Sequence, residues 1–213
     1  METQEELQQL LTKKEKLHPD LQKYVEDLDH FKALRHPILY SVPYFESMNA
    51  FHNKQYEVRK EELKANKKNK HWESFVFLHE RPHRLVAFME IENKLPDNTY
   101  WHLLGHIWLD NENIWQLKEA WLKALKSERE HVEMFMTGHE RMKLKNMPDT
   151  MTVYRGCSKK NKNGYSYTLD VEKAKLFSQR WGSDGMIIEK IIKKKDVFAY
   201  ISRRNESEII ILK

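Results

Sequence analysis

Along the first two-thirds of the chain, apolar residues recur at helical intervals. Along the last third they alternate or run together. Residues 40–69 read as one long polar helix, or two, opened by Ser41-Val42-Pro43, with Tyr44, Phe45, Phe51 and Tyr56 on one broad stripe. Pro19 sits where a helix can begin, after Lys16-Leu17-His18. A helix over 71–80 is expected to stop before Arg81-Pro82, because the residue before proline avoids the helical region. Another is expected from Pro82 to about Asn93. Leu95-Pro96-Asp97 breaks the pattern, and Asp97 or Asn98 is placed to cap the next helix, which carries Trp101, Leu104 and Trp108. Asp110-Asn111-Glu112-Asn113 marks a cap or kink before Trp115, Leu117, Trp121, Leu122 and Leu125.

After Pro148 the period changes. Residues 151–156 alternate, a turn-like stretch fills 157–164, and 164–168 reads as a strand. Asp170 caps a short helix with Ala174, Leu176 and Phe177 on it, and Gly182-Ser183-Asp184-Gly185 is a loop. Residues 186–192, 197–201 and 209–212 are rich in β-branched side chains and read as strands. The expected architecture is α+β: a helical region, 1–147, packed on a compact, mostly antiparallel β-rich region, 148–213, in one composite globule.

Composition narrows the classes. The 213 residues are 40% apolar, enough for a buried core. No apolar run approaches the roughly 20 residues of a membrane span, and the acidic start Met1-Glu2-Thr3-Gln4-Glu5-Glu6 is no secretory signal. One cysteine, Cys157, excludes an intramolecular disulfide and a thiol-ligated zinc site. These features point to a soluble protein of the reducing cytoplasm. The net charge of +5 is gathered in lysine clusters at 60–70, at Lys159, Lys160 and Lys162, and at Lys190 and 193–195. Each is able to meet phosphates, although solvated faces account for them as well.

Three segments of the β-rich region carry candidate chemistry. In Val153-Tyr154-Arg155-Gly156, a planar guanidinium suited to phosphate or hydroxyl oxygens precedes a glycine that lets a ligand approach the main chain. In Ser166-Tyr167-Thr168, the two hydroxyls lie two apart and so face one side of a strand. In Glu206-Ser207-Glu208, two carboxylates two apart are expected to project together, which is costly unless a partner or substrate compensates. His102 and His106 have a legal metal-ligand spacing, but no third ligand accompanies them and they read as a packing pair, as do Trp101, Trp108 and Trp115. No metal is expected.

Taken in chain order, an arginine strand, a serine-centred strand with a following helix, and a late Glu-x-Glu resemble the R-S-E class of mono-ADP-ribosyltransferases. In that class the middle segment is usually Ser-Thr-Ser; here it is Ser166-Tyr167-Thr168. The stretch 153–212 also resembles a C-terminal module of phage and bacterial proteins that carry Tyr-Arg-Gly, Ser-Trp-Thr-Leu and Glu-Ser-Glu behind a tryptophan-rich helical part. The resemblance implies an effector-like transferase that cleaves NAD as its substrate, releases nicotinamide and passes ADP-ribose to a macromolecular acceptor, an arginine of a protein being favoured. It implies that Glu208 bonds the 2′-hydroxyl of the nicotinamide ribose and that Ser166 orients Glu208. Arg155, Gly156 and Thr168 would line the NAD site. Glu206 would face the acceptor, with Arg203 and Arg204 in the loop that reads it. Two other classes fit the same residues: a catalytically silent protein of this fold that binds or inhibits a partner, and a basic nucleic-acid-binding protein.

Overall fold

The computed structural model describes residues 8, 10, 12–111, 114–203 and 206–212. Among them, helix mixes with antiparallel sheet, so the α+β expectation holds. No helix is long and apolar enough to cross a membrane among the described residues.

The chain gathers into two compact units, and their limits are not the expected 147/148. One comprises residues 1–95 and 111–123; the other comprises 96–110 and 124–213. The tryptophan helix therefore belongs with the β-rich unit.

In the first unit, Pro19 at the first helical position and the His18 side chain, which accepts from the Asp20 N–H, start the short helix α1 (Pro19–Gln22). The segment that follows is not helical, which corrects the reading of 1–147 as helix throughout. It forms β1 (Val25–Leu28), β2 (Phe31–Leu34) and β3 (Val42–Pro43), an antiparallel sheet with Leu28 paired to Phe31 across Asp29-His30. β2 buries both Ala33 and Leu34, and Leu34 packs with Leu17, Leu21, Ile38, Leu39 and Tyr56. The expected polar helix is α2 (Asn49–Lys68), and Pro43 belongs to β3, not to a helix start. Helix α3 (Trp72–Phe77) ends before a 3₁₀ turn at Arg81–His83, and α4 (Arg84–Ile91) follows, burying Leu85, Phe88 and Ile91.

In the second unit, α5 (Asp97–Asp110) buries Trp101, Leu104 and Trp108. Asp97 is the first residue of that helix, and its carboxylate accepts from Arg129 and from the Glu130 N–H. Gly105 is required on this helix, because a β-carbon would collide with the Phe135 carbonyl. The expected kink at 110–113 falls partly on Glu112 and Asn113, which lie outside the described residues. After α6 (Lys118–Leu125), α7 (Gly138–Asn146) opens with a capping box in which Thr137 and Glu140 satisfy each other's backbone N–H. Then come β4 (Thr150–Ser158), β5 (Ser166–Thr168), α8 (Val171–Gln179, capped by Asp170), β6 (Gly185–Lys193), β7 (Ala199–Ile201) and β8 (Glu208–Ile210). They form a five-stranded antiparallel sheet of order β6-β4-β5-β8-β7.

Candidate active site

The sheet makes neighbours of the three motif strands. β4 carries Arg155, β5 carries Ser166, and β8 begins at Glu208; β5 lies between the other two. The pairings fix which way each side chain faces, since directly opposed residues of an antiparallel pair share a face. Tyr154 opposes Thr168, and Thr168 opposes Glu208. Ser166, Thr168 and Glu208 therefore share one face, to which the α-carbon of Gly156 also turns. Arg155 and Tyr167 belong to the other.

Glu208 is buried, and the Trp108 indole N–H donates to its two carboxylate oxygens at 3.3 and 3.4 Å. The residue opposite Glu208 is Thr168, not Ser166; Ser166 opposes Ile210 and lies one diagonal away. The Thr168 hydroxyl donates to the Glu206 carbonyl at 2.6 Å and accepts from the Asp170 N–H at 3.1 Å. It thus joins the entry of β8 to the start of α8.

Glu206 and Glu208 do not share a strand, contrary to expectation. Ser207 is left-handed, with φ 47°, so the pleat that would align the two carboxylates is broken between them. Glu206 lies in a bend and is half-buried.

Arg155 is used within the fold. Its guanidinium donates to the Ser166 carbonyl at 2.7 Å and to the Asn161 carbonyl at 3.0 Å, holding the turn between β4 and β5. Gly164 lies flat against it, and a β-carbon there would strike the guanidinium. Its Nε is buried without a partner, and burial lowers its pKa. On the same face, Lys190 donates to the Tyr167 hydroxyl at 3.1 Å. Burial raises the pKa of Cys157, so its thiol is held protonated. Gly156 faces α8; a β-carbon would collide with the Ala174 carbonyl and crowd the Ser178 N–H.

The expected acceptor loop is anchored by a residue that the sequence reading passed over. Glu140 is fully buried and accepts from the Ser202 N–H at 2.8 Å, the Thr137 N–H at 2.8 Å and Arg203 Nε at 3.2 Å. Burial works to raise its pKa, but these donors outweigh it and the carboxyl titrates below its ordinary value. Arg203 is thus tied inward, reaching also the Phe135 carbonyl. Arg204 lies outside the described residues. The signal for Glu140 was present as Thr137-x-x-Glu140, the spacing of a capping box.

Two open pockets are lined by described residues elsewhere: one of about 550 Å³ beside Asp97 and His131, and one of about 840 Å³ between Lys14, Gln22, Lys32 and Tyr44. Neither includes Arg155, Ser166, Glu206 or Glu208. His102 and His106 stack on each other at 4.3 Å. Compared with protein-family models, with curated proteins and with solved structures, the chain finds no match.

Proposed function

We propose that the second unit is an NAD-dependent mono-ADP-ribosyltransferase that passes ADP-ribose to a macromolecular acceptor, an arginine of a protein being favoured. One observation carries this reading. Segments 11 to 53 residues apart along the chain, holding Arg155, Ser166 and Glu208, are brought to three adjacent strands in the order arginine, serine, glutamate. In this reading Glu208 stabilises the positive charge that develops on the ribose as the bond to nicotinamide breaks. Ser166 and Thr168 line the same face, Trp108 fixes the carboxylate, and Glu206 serves the acceptor. Arg155 contributes by shaping the turn before β5 and by the positive charge it holds beneath the site.

A second reading is favoured by a separate observation. The Arg155 guanidinium is committed to two backbone carbonyls on the face opposite Glu208. An arginine committed to the fold in this way fits a protein that offers the sheet as a binding surface, without turnover. Incubation of the full chain with NAD labelled in the adenosine part, together with a cell lysate, separates the two readings. Transfer of label to protein with release of nicotinamide, both lost in Glu208→Gln, supports the transferase. Absence of both in the wild-type chain at high protein concentration overturns it and leaves the binding protein.

A further inference from the structure

We propose that the outer edge of β6 is a docking site for an acidic, extended polypeptide segment, which adds to the sheet as a further strand. The proposal does not depend on the NAD chemistry.

β6 is nine residues long and stands at the end of the sheet; β4 pairs with one side of it, and among the described residues no strand lies on the other. An unpaired edge of this length presents a row of main-chain donors and acceptors. Such edges are commonly blunted by being short, bulged or covered, or by charged side chains, lysine above all. β6 is neither short nor bulged, since every residue from Gly185 to Lys193 has a partner in β4 in unbroken register, and its charges sit among exposed isoleucines. Its side chains are also unusual for a solvated edge. Ile187 and Ile191 share one face and are 39% and 75% exposed, the latter among the most exposed large apolar side chains of the chain. A strand laid alongside would cover both.

The charge around the edge selects the occupant. Within β6 the ionisable residues are Glu189, Lys190 and Lys193. Lys195 and Asp196 follow at one end, and exposed Asp184 precedes Gly185 at the other, so lysines outnumber carboxylates around the edge. At the other end the β4–β5 turn, which leaves β4 at Ser158 opposite Gly185, carries exposed Lys159, Lys160 and Lys162. Arg155 donates to the Asn161 carbonyl in that turn and so anchors the backbone that carries these lysines. A chain with acidic side chains among apolar ones answers both the lysines and the isoleucines. A second copy of this chain does not. Antiparallel self-pairing would set the lysine-bearing end of each β6 against the lysine turn of its partner, and parallel pairing would stack Lys190 on Lys190. A polyanionic nucleic acid would meet the lysines but leave the main-chain edge and the isoleucines unmatched.

The test uses the full chain with two labelled decapeptides, one alternating Glu and Val, the other Lys and Val, and a single-stranded oligonucleotide of similar length. Binding is read by fluorescence anisotropy and the site by amide hydrogen exchange. The acidic peptide is expected to bind about tenfold or more tightly than the basic one, a gap of about 1.4 kcal/mol. Its affinity should fall as salt rises, and binding should slow exchange of the amides of β6. Ile191→Asp and Lys193→Glu, both at exposed positions, should each weaken it several-fold while circular dichroism stays unchanged. Equal binding of the two peptides, binding without protection of β6, protection of β6 by the oligonucleotide instead, or self-association that protects β6 without peptide would each overturn the proposal.

Discussion

The indole N–H of Trp108 is shared between the two carboxylate oxygens of Glu208, across 100 residues of sequence. A buried carboxylate needs donors, and this one comes from α5, a helix that sequence reasoning treats as packing alone. Trp108→Phe keeps a large ring and deletes the donor. It is expected to destabilise the second unit by about 1–2 kcal/mol, the low end for a hydrogen bond to a charged group because the contacts are long. Chemical denaturation of the variant checks this, and an unchanged midpoint would show that the contact is worth nothing.

Arg155 and Gly164 form a second coupled pair. Gly164→Ala drives a methyl group into the guanidinium and is expected to cost about 1–3 kcal/mol. Arg155→Lys removes the planar group and the fork that spans two carbonyls. In the double variant the methyl has room, so the two losses should fall short of additivity by about 1 kcal/mol. Simple additivity in a thermal-melt cycle would place the two residues out of contact.

The broken pleat at Ser207 separates the two carboxylates. If the transferase reading holds, Glu208→Gln should lower nicotinamide release roughly a hundredfold or more. Glu206→Gln should abolish labelling of the acceptor while sparing most NAD hydrolysis. Measuring release and labelling side by side decides it. Equal loss of hydrolysis in both variants would end the division of labour.

Acid should act on the first unit through His36. Its ring lies 4.4 Å from Tyr24 and 5.1 Å from Tyr56, and its Nδ1 accepts from the Ile38 N–H. Burial, then the neighbouring His83, lowers its pKa from 6.5 to about 4. The unfolded chain therefore takes up the proton first. The stability linked to neutral His36 is whole above pH 6.5, declines as pH falls, and is spent once pH passes about 4. His36→Asn supplies an acceptor without a titrating ring and should flatten the melting temperature against pH over that window. A slope identical to wild type would assign the acid sensitivity to other groups, of which buried His52 and half-buried His79, both with pKa lowered by burial, are the nearest in kind.

Glu140 predicts the behaviour of the loop after β7. Glu140→Gln keeps one acceptor but gives up the charge that holds Arg203, and about 2–3 kcal/mol of stability should go with it. Hydrogen exchange should quicken at Ser202 and Arg203 before it quickens in β8. Simultaneous change across the unit would mean the anchor is global.

Much of the second unit was legible because its strands are β-branched runs between turn residues, and because Asp170 is a strong cap for α8. The first unit misled. β1 and β2 are joined by Asp29-His30, without the glycine that marks a tight hairpin, and each strand has only four residues. The strand order of the sheet was not readable either, since it arises from pairing between distant segments. Parity along each strand was known, but parity between strands follows from register, and register put Arg155 and Glu208 on opposite faces. Ser207 carries no residue-type signal for a positive φ. Glu140 sits among His139 and Arg141 and reads as solvated until the loop after β7 folds onto it.

The interleaving of the two units bears on how the protein is made. The ribosome delivers α5 before residues 111–123, and those residues belong with the segment already synthesised. The first unit is thus complete by Lys123, while Trp101 and Trp108 must wait for Phe135, Phe198 and Glu208. At about 5–20 residues per second that wait lasts on the order of ten seconds. Until then, a helix with three consecutive turns of large apolar side chains waits without its sheet. A gene fragment starting at residue 148 would yield the strands without that helix, and Glu208 without its indole.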